Sequence, residues 1–396
     1  MGFPETLGGV ATGHGLSLPD EHHPEPLATL DYTDELGLKR EALAAFWEGQ
    51  RLPGQPEPVV PATTPRGYRT TTKRRATLGP RGLTLAFPGA PPGAGGLSAS
   101  ALDLPEHSAV YGFLIERLSR PAARALANVL SWAIVRGSPG GLALILNVRV
   151  FDADVVRAGK RLAESIHEAP LGVRAAFLYL DPTGSDYYLE ARRPAKVLSF
   201  KRLFGPEWLQ VEVDGVRLRF PPTVFSQVNA GMLGVMTASV RALLAPLEGR
   251  ALLDLYCGYG LFSFAVGRDA AQVIGVDFDG PAVEAARANA AHLRCAERAR
   301  LVAGRIDATF LGGHLRPCRI PEKVLLDPPR QGTAPGVAAA IAARRPERVV
   351  HICCSTDEIP REVASWVQAG YRLQRAVPLD LFPGTANLET LLLLTR

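Results

Sequence analysis

Ala251-Leu252-Leu253-Asp254-Leu255-Tyr256-Cys257-Gly258-Tyr259-Gly260-Leu261 decides the fold of the C-terminal half. The apolar run 251–255 is short enough for a buried strand. The glycines at 258 and 260 let the backbone turn tightly and approach a ligand before a helix opens at Leu261. A second strand over residues 272–276 leads to Asp277, about 20 residues further on, where an acidic side chain accepts hydrogen bonds from ribose hydroxyls. NAD and S-adenosylmethionine (SAM) both carry an adenosine ribose, so this pair of strands does not choose between them. NAD sites usually complete a G-x-G-x-x-G, and here the third glycine position is Ser263. That substitution, and Asp254 ahead of the loop, favour SAM. A plain strand–turn–helix with no ligand is the other reading.

Outward from this loop the strand–helix alternation continues. Strands are expected at residues 299–303, 323–326, 348–353, 371–378 and 389–394, with helices between most of them. This is the pattern of an α/β, Rossmann-like, doubly wound sheet. Upstream the texture changes to a smaller α+β module. Helices are expected across 105–136, with Pro121 opening the second and Leu126, Val129, Leu130 and Ala133 forming its apolar stripe. A buried strand over 142–150, an amphipathic helix over 155–167 and a strand over 173–180 follow. Residues 211–220 read as a hairpin turning at Asp214-Gly215. The first residues are rich in Pro, Gly and acidic side chains. They yield one short helix at 36–47, a loop at His22-His23-Pro24-Glu25-Pro26 and a proline-bearing linker over 52–65. Three segments are therefore expected: 1–64, of unknown role and partly linker; 65–222, the α+β module; and 223–396, the doubly wound domain.

The chain has 396 residues, 47% of them hydrophobic, and a net charge of +5, which permits a nucleic-acid partner without requiring one. Its five cysteines show no C-x-x-C pair, so neither a zinc site nor a disulfide framework is expected, and the count suits a reducing cytoplasm. No signal peptide and no membrane-spanning run is read. Arg66, Arg69, Lys73, Arg74 and Arg75 cluster around Tyr68. As a strand with one cationic face they would contact RNA phosphates, with the tyrosine stacking on a base. A solvated edge strand kept from aggregating by its charges is the competing reading.

Three C-terminal motifs carry chemistry. Asp327-Pro328-Pro329-Arg330 follows a strand, at the carboxyl edge where ligands bind. Arginine in the fourth position, where amine methyltransferases carry an aromatic residue, points to a phosphate or carbonyl contact. Cys353 and Cys354 end the next strand, so one is expected to be buried and the other to emerge. A thiol at that edge beside a helix N-terminus, with Ser355 or Thr356 as cap, can be activated as a thiolate. Phe382-Pro383-Gly384-Thr385 turns into a last strand that returns Glu389 to the same edge. Donor loop, base pocket, thiol and carboxylate are what methylation of uracil at carbon 5 requires. A thiolate adds to carbon 6, the resulting enolate attacks a methyl donor through carbon 5, and a base removes the carbon 5 proton.

At these residues, and at Gly67-Tyr68-Arg69 and Phe225-Ser226-Gln227-Val228-Asn229, the chain resembles the RNA (uracil-5)-methyltransferase family, from about Gly67 to the C-terminus. The resemblance implies a SAM-dependent enzyme forming 5-methyluridine in tRNA or rRNA. It implies SAM contacts at Gln227, Tyr256, Gly258 and Asp277, with Asp327 between donor and base. Cys354 would be the nucleophile and Glu389 the proton acceptor. Arg66, Tyr68, Arg69, Lys73, Arg74 and Arg330 are the candidate RNA contacts. Ser355-Thr356 stands where the family has Asn-Pro, and Asn387 where it has His. The N-terminal cysteine cluster of some rRNA-directed members is absent, so no iron–sulfur cluster is expected. The expected molecule is a cytoplasmic monomer. An RNA cytosine-5 methyltransferase and a catalytically silent RNA-binding folding factor are the alternatives.

Overall fold

The structure is a computed structural model that describes residues 1–19, 23–87, 96–182 and 199–396; His22 of the expected N-terminal loop lies outside them. Contacts divide the chain into two compact units. One comprises Met1–Arg66, Gln210–Phe220 and Gly231–Arg396; the other comprises Gly67–Leu209 and Pro221–Ala230. These divisions differ from boundaries at 64 and 222.

The N-terminal residues are not a separate segment. Helix α1 (Phe3–Gly13) presents Phe3, Leu7 and Ala11 one turn apart on a single face, and α2 (Tyr32–Gly49) is longer than the expected 36–47. Asp31 starts α2 by accepting a hydrogen bond from the Thr33 amide at 2.8 Å. Both apolar faces share a core with Cys353, Ile359, Val363, Leu388 and Leu392. Each large apolar side chain buried there contributes roughly 1.5–3 kcal/mol, which a solvated appendage would forgo. The expected linker is also engaged. The amides of Glu57 and Val60 donate to Ala376 O and Pro378 O, each at 2.9 Å, along the outer edge of the neighbouring sheet. An edge strand offers unpaired backbone groups there, and prolines are tolerated beside it.

In the second unit, β1 (Thr71–Gly79), β2 (Gly82–Ala86), α3 (Pro105–Leu118), α4 (Arg124–Val129), β3 (Leu130–Arg136), β4 (Leu142–Val148), α5 (Ala153–Glu168), β5 (Val173–Leu180) and β6 (Ser199–Phe204) follow in chain order. Among the described residues the strands form one sheet in the order β2-β1-β3-β4-β5-β6, with only β4 and β5 parallel. The expected second helix is cut short. Leu130–Arg136 is a central strand, buried on both faces except at Ser131. A continuous apolar run carries no periodicity that separates helix from strand. Arg136 is buried and donates to Pro222 O, Val224 O and Ser226 Oγ. Thr70 donates to Val228 O through its amide, at 2.7 Å, and through its hydroxyl, at 3.0 Å. Those bonds place residues 221–230 in this unit.

The hairpin β7 (Leu209–Val213) and β8 (Val216–Phe220) turns at Asp214-Gly215, as its spacing predicts. The doubly wound sheet follows: α6 (Leu233–Leu244), β9 (Ala251–Leu255), α7 (Leu261–Ala265), β10 (Gln272–Asp277), α8 (Gly280–His292), β11 (Ala299–Ala303), α9 (Ala308–Gly313), β12 (Glu322–Leu326), α10 (Val337–Ala343), β13 (Arg348–Cys353), α11 (Ile359–Gln368), β14 (Arg372–Leu379) and β15 (Glu389–Thr395). Its order is β11-β10-β9-β12-β13-β15-β14, with β15 antiparallel to both neighbours. Every strand expected from residue 251 onward is present, within a residue or two at its ends.

Candidate active site

The strand order reverses between β9 and β12, so the loops after them diverge and open a crevice at the carboxyl edge. In the first loop Tyr256 has φ +65°, a strained value for a side chain of that size, and Gly260 has φ +89°. A Cβ at Gly260 would lie 2.3 Å from the Phe264 ring, so only glycine fits. The Gly258 amide donates to Asp277 Oδ2 at 2.9 Å, and the Asp279 amide to Asp277 Oδ1 at 2.9 Å. Asp277 thus ties the loop to the end of β10. Each of its oxygens keeps a lone pair for a ligand hydroxyl. Asp254 is buried beneath the loop and accepts from Ser263 Oγ at 2.6 Å. Burial pushes its carboxyl up to about 7, with Asp327 and Asp277 adding to the shift and Ser263 opposing it. Ser263, read from the sequence only as a missing glycine, is the partner of that carboxyl.

The second centre is built by strand register. Cys353 on β13 pairs with Thr390 on antiparallel β15, which sets the next residues outward, Cys354 and Glu389, across from each other. Asp327 leaves the end of β12, its amide bonded to Leu255 O at 3.2 Å. One side-chain atom each of Asp327, Cys354 and Glu389 lies within 4.8 Å of the other two. Cys354 Sγ is 3.6 Å from Asp327 Oδ1 and 3.4 Å from Pro328 O, and donates to one of them at a time. As strand alternation requires, Cys353 is wholly buried and Cys354 emerges. Glu389 is 1% exposed, with the Cys354 thiol as the hydrogen-bonding group that faces its carboxyl. Thiolate and carboxylate oxygens are also metal donors, and the trio could hold a divalent ion; its spacing equally suits proton transfer.

Charge at this centre is held back. Burial first, then Glu389 and Asp327, raise the Cys354 thiol well above its ordinary range. Burial and Asp327 raise Glu389 likewise, against the hydrogen bond with Cys354 and the pull of Arg330. A 3-10 turn over Thr356–Glu358 runs straight into α11, so a helix does start beside the thiol with Ser355 at the cap position. But Ser355 makes no side-chain capping bond, the buried Thr356 hydroxyl has no partner among the described residues, and the thiol is raised rather than lowered. The sequence reading also missed Glu358. Both its oxygens are buried without a partner among the described residues, and burial pushes its carboxyl to about 7. Its only signal was an acidic residue four positions after the thiol.

A family model described as tRNA (Uracil-5-)-methyltransferase matches residues 182–396, more than half of the chain. The chain belongs to this family. It is 35% identical over 182 residues to the 23S rRNA (uracil(1939)-C(5))-methyltransferase of Acidithiobacillus ferrooxidans, covering 46% of this chain and 41% of that protein. It is 32% identical over 197 residues to an uncharacterised RNA methyltransferase of Thermotoga maritima, covering 50% and 44%. The matches thus span less than half the length of these relatives. Among solved structures, the Pyrococcus abyssi tRNA (uracil-54, C5)-methyltransferase in complex with S-adenosyl-L-homocysteine superposes with a TM-score of 0.70 at 19% identity. That match covers 93% of this chain and 85% of the other, a likeness of fold. Gly67-Tyr68-Arg69 lies outside the stretch matched by the family model.

The remaining site candidates fall in different places. Gln227 sits in Pro221–Ala230, in the unit without the glycine loop. Three of the expected RNA contacts are structural instead. Arg66 donates to Leu27 O, Ala28 O and Leu30 O and pairs with Glu35 at 2.9 Å. Tyr68 is 5% exposed. Arg74 is 2% exposed, pairs with Asp103, and lies over the Phe87 ring at 4.0 Å. The alternation of β1 explains this: Thr72 and Arg74 face inward, while Lys73 and Arg75 lie on the other face, beside the Trp132 ring at 5.2 and 6.0 Å. Arg330 is exposed beside the reactive centre. No described helix is long and apolar enough to cross a membrane.

Proposed function

We propose that the protein is a SAM-dependent RNA methyltransferase that methylates carbon 5 of a uridine in tRNA or rRNA through a covalent Cys354 adduct. The observation that carries this is the convergence of Asp327, Cys354 and Glu389 at one sheet edge, beside a glycine loop ringed by carboxylates. Asp254, Asp277 and Asp327 are charges suited to a sulfonium and an ammonium group. The unpartnered Asp254 Oδ1 and the close backbone approach at Gly258 and Gly260 fit such a ligand. Tyr256, Gly258, Asp277 and Gln227 would hold SAM, which supplies an electrophilic methyl group. The unit of Gly67–Leu209 and Pro221–Ala230 would serve as the RNA-binding module of a cytoplasmic monomer, with Arg69, Lys73 and Arg330 as RNA contacts.

In this mechanism Cys354 Sγ adds to carbon 6 as its proton passes to Asp327, and the double-bond electrons move to the carbon 4 oxygen as an enolate. Carbon 5 then takes the methyl group. Glu389 accepts the carbon 5 proton, the double bond re-forms and the Cys354–carbon 6 bond breaks. The departing sulfur recovers its proton from Asp327. Burial and the neighbouring carboxylates raise the proton affinities of Cys354 and Glu389, so turnover should climb with pH.

The test is RNA containing 5-fluorouridine, whose fluorine blocks proton removal. An adduct should survive denaturing electrophoresis, vanish in Cys354→Ser and persist in Cys353→Ser. Glu389→Gln should lower turnover by about 10²–10⁴ and stall as an adduct with natural uridine. A wild-type protein that forms no adduct would sink the covalent reading. Nucleoside mass spectrometry of separated tRNA and rRNA from a strain lacking the protein identifies the substrate.

A further inference from the structure

The N-terminal helices touch the reactive centre at three points. Their shared core includes Cys353 and Leu388, the chain neighbours of Cys354 and Glu389. The Phe3 amide, at the start of α1, donates at 2.6 Å to Asp357 Oδ1 in the turn after Cys354. The third point is a buried ionic network at the turn that feeds Glu389 into β15. Lys39, 0% exposed on α2, donates to Glu35 Oε1 at 2.8 Å, Asp380 Oδ1 at 2.8 Å and Phe382 O at 3.3 Å. The Gly384 amide donates to the same Glu35 oxygen at 2.5 Å. Arg66 takes the other Glu35 oxygen, and Tyr32 OH donates to Asp380 Oδ2 at 3.0 Å. Two acids and two bases balance, and each ammonium proton of Lys39 has an acceptor.

We propose that residues 1–66 are a positioning element for the catalytic pair, with Lys39 as its central positioning residue. The proposal rests on the assignment of Cys354 and Glu389 made above. Buried ion pairs stabilise little compared with an apolar core of equal volume, and breaking one leaves a buried charge unpaired. What this network supplies is a unique geometry. The Phe382–Pro383–Gly384 turn satisfies Lys39 and Glu35 in only one arrangement, because Gly384 at φ +84° aims its amide at Glu35. Leu27 N, bonded to Gly384 O at 3.1 Å, closes the turn from its other side. Glu389 lies five residues on. Among the described residues its carboxyl is held by the Cys354 thiol alone and by nothing on the turn itself, so its place depends on the turn before it and on the β15 ladder.

The test compares full-length wild type with Lys39→Met and Tyr32→Phe; the second keeps every ion pair and removes the bond to Asp380 together with the acceptor of the Ala62 amide. Cys354 alkylation by iodoacetamide is followed against pH by mass spectrometry, and turnover and adduct partition are followed with RNA. Displacing Glu389 removes a carboxylate from beside the thiol. The alkylation profile should therefore move to lower pH in both variants, with at least a threefold faster rate near pH 8. Turnover should fall about tenfold and natural-uridine adduct should accumulate, with SAM affinity within twofold of wild type. Unmoved alkylation profiles in variants that still bind SAM would overturn the positioning role. If Lys39→Met loses SAM binding, Tyr32→Phe alone decides by the same profile. The profile is read with or without an RNA adduct. A wild type that forms no adduct therefore counts against the proposed reaction, not against this inference.

Discussion

Asp254→Asn should change the pH dependence of stability in a direction set by burial. In the native state the Asp254 carboxyl ionises near 7, against 3.8 for the unperturbed group. That gap of about three pKa units corresponds to roughly 4 kcal/mol. Below pH 3.8 both states are protonated and the group contributes no linkage. As pH rises from there to about 7 the unfolded chain ionises first, so the native state binds more protons and loses stability. Above about 7 the full penalty applies. Asparagine at 254 carries no such penalty. Relative to wild type, the variant should therefore gain up to about 4 kcal/mol between pH 4 and pH 8. Its absolute stability at pH 4 depends on whether the new amide finds a partner where Asp254 Oδ1 has none among the described residues. The difference between the two pH values is free of that unknown. Urea unfolding at pH 4, 6 and 8, with m-values checked for constancy, measures it. A gain that stays constant within about 1 kcal/mol across the range would refute the raised carboxyl. The same reasoning extends to the proposed donor. A cationic ligand beside Asp254 should draw its proton off, so binding near pH 6 should release protons to buffer and weaken as pH falls.

Asp277→Ala should weaken SAM binding by roughly 1–3 kcal/mol, since it removes a ligand acceptor and leaves the Gly258 amide without its carboxylate. Unchanged affinity in calorimetry would take Asp277 out of the site. Arg74→Ala should cost stability by about 3–5 kcal/mol, because it breaks the buried ion pair with Asp103, and should leave the salt dependence of RNA binding unaltered. Lys73→Ala and Arg75→Ala should do the reverse, each lowering the salt slope by about 0.7–0.9 with little effect on unfolding. A salt slope that changes with Arg74 and not with Lys73 or Arg75 would restore the reading of Arg74 as a phosphate contact.

The doubly wound sheet was legible because each strand is short, apolar and bounded by turn residues, and because its ligand-facing residues end strands. Strand alternation said that one of Cys353 and Cys354 is buried and the other emerges, and the family resemblance chose Cys354. The two failures among the cationic residues, Arg66 and Arg74, have a common origin. Composition shows charge and cannot show direction. On β1 the alternation that was read as one cationic face in fact divides the charges, sending Arg74 inward to Asp103 and leaving Lys73 and Arg75 on the other side. The second helix of the α+β module failed differently. Within Leu130–Arg136 the apolar run Trp132–Val135 is too short to show either periodicity, and pairing with β1 and β4 decides in favour of strand.

The N-terminal residues show what kind of information a single chain hides. Phe382-Pro383-Gly384-Thr385 stood out as a motif, but its partners are Glu35 and Lys39, more than 340 positions away. The helix expected from the sequence begins at 36 and leaves Glu35 outside it, and a Glu–Lys spacing of four is in any case common on exposed helix faces. Only the fold turns that pair inward, and only Asp380 and Arg66 make its burial tolerable by completing the charge balance. A buried lysine with all three protons accepted is not produced by apolar packing, which would select leucine or methionine at that point. Its presence on α2 is therefore best explained by what it holds, the turn that delivers Glu389 to Cys354.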